Sequence, residues 1–101
     1  MKTILLTIML TSFVSIAQAQ STTCFYKGNV EYPTTFTVDT TVMKLLWSDT
    51  YKRDLYNIKS IEGNEFVIEA QGVSSVVISG STVVYEQNGR TTIFRKCERV
   101  N

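Results

Sequence analysis

The run from Asn64 to Cys97 does most to limit what this chain can fold into. Apolar and polar residues alternate there in short bursts, and turn residues cut between the bursts. A period of two belongs to β-strands with one buried face. Phe66, Ile68 and Ala70 share one side of the first burst, while Glu65 and Glu69 flank Val67 on the other. Two carboxylates are expensive to bury without partners, so the glutamate side is predicted to face solvent. Val76 and Ile78 then oppose Ser75, Val77 and Ser79, and Val83 and Tyr85 oppose Thr82, Val84 and Glu86. Gln71-Gly72, Gly80 and Asn88-Gly89 separate these segments. Asn-Gly is the strongest hairpin signal, because a type I′ turn needs positive φ at both central positions. Thr91 to Cys97 is the closing strand, with Ile93 beside Arg95 and Phe94 beside Lys96. The polar tail 98–101 is expected to fray.

The same punctuation continues toward the N-terminus. Thr22 to Lys27 reads as a strand with Cys24 and Tyr26 on one side and Thr23 and Phe25 on the other, followed by a Gly28-Asn29 turn. Pro33 cannot donate to a ladder, so Tyr32-Pro33 is expected to break or delay the next strand. Thr34 to Asp39 alternates Phe36 and Val38 against threonines. Val42 to Ile58 has two readings. As strands it places Met43, Leu45 and Trp47 on one face, then Tyr56 and Ile58 on one face with Leu55, Asn57 and Ile61 on the other. As a helix it forms a stripe of Met43, Leu46, Trp47, Tyr51, Leu55 and Ile58. Ser48-Asp49-Thr50 is turn chemistry in mid-stripe, and the surroundings are rich in Thr, Val, Tyr and Ile, which favours strands. Glu62-Gly63-Asn64 is a hairpin loop.

The start of the chain is of another kind. Met1-Lys2 is basic, Ile4 to Ile16 is apolar apart from Thr and Ser, and Ala17-Gln18-Ala19 is a small-x-small cleavage pattern. This is the pattern of a cleaved signal-peptide helix, with cleavage after Ala19, and the apolar run is short for a membrane span. Removing 1–19 from 101 residues leaves 82, enough for a single domain (20–101) with one modest core. The expected location is secreted or periplasmic, with no stable membrane insertion after cleavage. Lys2 is the sole charged residue removed, so the remaining basic and acidic residues balance. That balance argues against a nucleic-acid partner.

Export also decides how the cysteines read. Cys24 and Cys97 are the only two, 73 positions apart, and in an oxidising compartment they are expected to pair and tie the first strand to the last. Close Cys-x-x-Cys redox spacing is absent. About eight short strands with short loops then make an all-β antiparallel meander, curled into a partial or closed barrel so that its ends meet.

The chain has no histidine, which removes the commonest general base and the commonest metal ligand. With both cysteines bridged, a zinc site lacks its usual donors, and no phosphate loop or nucleophile elbow is present. Glu65 and Glu69 are the nearest acidic pair, but four residues along a strand span roughly 13 Å, too far for paired work. The expectation is a non-enzymatic monomer without cofactor or metal that binds a protein or glycan partner outside the cytoplasm. Trp47 and Tyr51 flank one loop, and Lys52-Arg53 follows it, so Trp47, Tyr51, Lys52 and Arg53 are the candidate contact surface. Arg95, Lys96 and Arg99 form a second basic group near the closing cysteine, where an anionic partner or solvated edge charge are both readings. No N-glycosylation acceptor is present.

Ser79-Gly80, Tyr85, Asn88-Gly89 and Phe94 follow one another in an order similar to that of the small exported bacterial inhibitors of C-type lysozyme. The resemblance covers the last quarter of the chain. Arg95-Lys96-Cys97 lacks the glycine which that family places after its lysine, and no site residue is carried over. It implies a β-barrel with cysteines near its ends and, as an alternative function, inhibition of a secreted hydrolase. A structural or assembly component that polymerises through an edge strand is a third reading.

Overall fold

The computed structural model describes residues 19–70 and 72–100. Residues 1–18, on which the expected signal peptide falls, lie outside the described residues, as do Gln71 and Asn101. Eight strands follow one another: β1 (Ala19–Lys27), β2 (Val30–Asp39), β3 (Lys44–Asp49), β4 (Arg53–Glu62), β5 (Glu65–Glu69), β6 (Val73–Ser79), β7 (Thr82–Gln87) and β8 (Arg90–Val100). Each pairs antiparallel with the next, and β8 pairs with β1, so the sheet is a closed barrel. Within 42–58 the strands are Lys44–Asp49 and Arg53 onward, with Leu45 and Trp47 pointing inward. The helical stripe does not form, and Met43, expected on the strand, lies with Val42 in the β2–β3 turn at a φ of 53°. An eight-stranded barrel is just wide enough for its own side chains or for one small ligand.

The interior is packed at its waist. Phe36, Leu45, Ile68, Val76, Val83 and Phe94 are fully buried. Phe36 meets Trp47 and Phe94 edge-on, with ring centroids 5.0 and 5.1 Å apart, the geometry that the ring quadrupoles favour. Cys24 and Cys97 are directly opposite across β1 and β8, bridged and facing inward.

Strict alternation fails at three places, each of which re-aims side chains. The β1–β2 register shifts between Cys24 and Tyr26, so that Tyr32 and Pro33 together oppose Phe25. Pro33 therefore sits inside β2 rather than ahead of it, since a bulge leaves the proline's missing N–H without a ladder partner to lose. On the other side β3 begins pairing only at Thr34. Cys24 faces in, but Tyr26 pairs with Arg95 on the outside, and Lys27 turns to the interior opposite Phe94. On β8 the compensating kink is Lys96, with φ of 54°, so Phe94 and Cys97 are both buried and Lys96 is exposed. In β4 the register shifts between Ile58 and Ser60. The extra residue brings Ile61 onto the core face with Ile58, not onto the face of Leu55. The tail also differs from expectation. β8 continues through Val100 because Glu98, Arg99 and Val100 pair with Thr23, Thr22 and Ser21.

Asn88 and Gly89 both hold positive φ, 52° and 79°, as the tight β7–β8 hairpin demands. No atom crowds the position that a Gly89 Cβ would take, so the cost of a side chain there is purely one of backbone conformation. Gly89→Ala is expected to lower stability by about 1–2 kcal/mol in urea melts, whereas Asn88→Gly stays within ~0.5 kcal/mol.

Candidate functional site

Alternating strand direction gives the barrel two mouths. The first is rimmed by the β1–β2, β3–β4, β5–β6 and β7–β8 loops; the second by the other loops and the outer ends of β1 and β8.

The first mouth opens into a cavity of about 530 Å³. Its floor is aromatic. Trp47 lies edge-to-face with Tyr85 at 4.8 Å, Phe94 at 5.7 Å and Tyr56 at 6.3 Å. The rim is polar, with Lys27, Lys52, Asp54, Gln87 and Thr92. Asp54 is directly opposite Trp47 across the β3–β4 ladder and so shares its inward face. The Asp54 carboxylate accepts the Tyr56 hydroxyl at 3.3 Å and pairs with the Lys52 ammonium at 3.3 Å. That ammonium also stands 5.1 Å from the Trp47 ring centre, within cation–π range. Burial opposes the charge on Lys52, but the neighbouring Asp54, Tyr56 and Asp49 outweigh it and hold the ammonium above the ordinary lysine range. Burial, with a smaller push from Asp54 against the pull of Lys52, moves the Tyr56 phenol up. At neutral pH, therefore, Lys52 stays charged and the Tyr56 phenol stays neutral.

Beside the cavity stands a firm loop. Asp49 ends β3 and its Oδ1 accepts the amide N–H groups of Tyr51 and Lys52 at 2.8 and 2.9 Å. The Asp49 amide donates to the Lys52 carbonyl at 2.9 Å. Partial burial opposes ionisation of Asp49. The two amides, a hydrogen bond from Tyr32 and the Lys52 charge overcome that, and the carboxyl is held below its usual range. Slight burial and the Asp49 charge push the Tyr32 phenol up, which keeps its donor proton in place. The Tyr32 ring stacks on Tyr51 at 6.1 Å and 22°, with the Lys27 ammonium 5.3 Å from it on Tyr32. Tyr51 is nevertheless 82% exposed.

Of the four residues expected to form a contact surface, the structure gathers three. Tyr51 and Lys52 stand on the rim. Trp47 is only 8% exposed and serves as cavity floor and core, not as a surface anchor. Arg53 alternates to the outer face, away from the cavity, because Asp54 takes the inward position. Lys27, Tyr32, Asp54, Tyr56, Tyr85 and Gln87 were not legible as one site, since they come from four strands. Tyr85 carried a usable signal in its alternation with Val83; Lys27 carried none, because a bulge turns it inward. The second basic group divides. Arg95 and Lys96 lie over the Tyr26 ring on the outside at 5.7 and 5.5 Å, while Arg99 belongs to the second mouth. Glu65 and Glu86 border a shallow depression on the outer face. Among the described residues no group of three or more His, Cys, Asp or Glu stands together to hold a metal ion. Compared with protein-family models, curated proteins and solved structures, the chain finds no match.

Proposed function

We infer that this chain is a small exported, non-enzymatic binding protein, and that the first barrel mouth grips a protein or glycan partner outside the cytoplasm. The observation that carries the reading is Tyr51, a large ring left exposed on a loop that Asp49 and Tyr32 hold in place beside an aromatic cavity. Exposed aromatic residues on rigid supports lose little entropy on binding and serve as anchors. The cavity behind them lies within the ~300–1,000 Å³ range of pockets that take a small group, so one side chain or one sugar unit of the partner fits the role.

The test is capture from envelope material by the immobilised protein. Tyr51→Ala and Lys52→Ala are expected each to weaken capture by at least about tenfold, while thermal melting stays unchanged for Tyr51→Ala. Protease treatment of the envelope separates a protein partner from a glycan. Undiminished capture by the double variant would rule the first mouth out.

A second reading, inhibition of a secreted hydrolase, is favoured by the closed barrel with bridged ends, which is the architecture implied by the resemblance to lysozyme inhibitors. A peptidoglycan lysis assay with C-type lysozyme decides it. Assembly through an edge strand is disfavoured: the closed barrel offers no free edge among its described strands, and addition of a strand would first require parting β1 from β8.

A further inference from the structure

We propose that the second mouth is a separate binding site for a monocarboxylate that carries a short apolar tail, with Arg99 as the anchor for its carboxylate. The argument starts from register. Arg99 is directly opposite Thr22, and Thr22 is buried in the interior at 6% exposure. Directly opposed residues share a face of the sheet, so the guanidinium stems from an inward-facing position. Arg99 itself remains exposed at the lip of the barrel, so its guanidinium is free to receive an anion from solvent in charge-assisted hydrogen bonds.

The two mouths differ in whether the barrel supplies the counter-charge. At the first, inward Asp54 already has Lys52. At the second, Arg99 has no ion pair, hydrogen bond or ring contact among the described residues. The acidic residues nearby are turned away. Glu98 pairs with Thr23, one step out of phase with the inward set. Glu62 and Glu65 oppose each other, each next to an inward residue, Ile61 or Phe66. Asp39 accepts the Thr41 amide at 3.0 Å.

Beneath Arg99 lies a cavity of about 320 Å³ whose deeper wall is Val38, Phe66 and Ile78, with Gln20 and Asn64 at its polar rim. The first mouth has an aromatic floor with both charges on its rim; this one has an apolar floor and a single positive group. A carboxylate receives the guanidinium fork with two parallel hydrogen bonds, and an alkyl tail gains from leaving water against Val38, Phe66 and Ile78. At a water's share of about 30 Å³ per heavy atom, the space holds roughly ten such atoms, the size of octanoate.

Titration calorimetry of the full mature chain with octanoate, 1-octanol and inorganic phosphate tests the assignment. Octanoate is expected to bind saturably, one per chain, and to perturb the amide resonances of Val38, Phe66 and Ile78. Octanol and phosphate should each bind at least about tenfold more weakly. Arg99→Gln should lose about tenfold in octanoate affinity with an unchanged melting temperature, and Tyr51→Ala should lose none, which separates this site from the first mouth. Equal affinity for octanoate and octanol, phosphate as good as octanoate, or no loss in Arg99→Gln would each overturn the proposal.

Discussion

Reduction of the Cys24–Cys97 bridge is expected to lower the stability of the barrel by about 4 kcal/mol, as read from denaturant melts with and without reductant. The bridge closes a loop spanning 73 positions, nearly the whole domain, so its loss restores close to the maximum freedom that one cross-link can remove from the unfolded chain. For a domain of this size, that corresponds to a fall in melting temperature of roughly 15–30 °C. The bridge also spans the one seam of the barrel that no hairpin joins, because β1 and β8 are the first and last strands. Amide exchange in β1 and β8 should therefore rise before exchange in β4 to β6. The double variant Cys24→Ala, Cys97→Ala should match the reduced protein. A loss below about 1 kcal/mol would mean that the ladder from Ser21–Val100 to Lys27–Phe94 holds the seam alone.

Phe94→Ala is expected to cost about 3–5 kcal/mol, while Ile93→Ala, one residue away, costs less than about 1 kcal/mol. Phe94 is 1% exposed and touches both Phe36 and Trp47 edge-on. Its removal leaves a void at the waist that the ring of neighbours cannot collapse to fill, because each is anchored to a different strand of a closed sheet. Ile93 is 43% exposed on the outer face. The two together test the face assignment on β8 as well as the core, since a one-residue slip would reverse them. Urea melts of both variants suffice, and equal effects would refute the observed register.

Much of the fold was legible because it depends on local periodicity and local turn chemistry. Val76 and Ile78, Val83 and Tyr85, and the Asn88-Gly89 hairpin are set by neighbours within a few residues, and the structure places them where the alternation does. The pairing of Cys24 with Cys97 also follows, since a meander of antiparallel strands with two cysteines at its ends has one way to close. The misplaced faces trace to bulges and one kink. Tyr26, Lys27 and Ile61 change sides where one strand carries an extra residue relative to its partner, and Lys96 does so at its own positive φ. A bulge is a property of two strands, and nothing within Thr22–Lys27 alone reports that Tyr32 and Pro33 share the place opposite Phe25.

The site was legible only where it is contiguous. Tyr51 and Lys52 belong to a loop whose Asp49 caps its own next amides, a local pattern. The cavity beside them needs Lys27, Asp54, Tyr56, Tyr85 and Gln87 from β1, β4 and β7, and Trp47 reaches its floor because it shares the inward face of β3 with Leu45. Composition and periodicity thus settled the class of fold, the turns and the closing bridge, all of which rest on short-range sterics and on burying one face of each strand. Closure of the barrel decided which mouth each polar residue reaches. It brought Lys27, Trp47 and Tyr85 to one cavity at one end and set Arg99 at the lip of another at the opposite end, because register across strands distant in sequence determines which side chains face the interior at the same height.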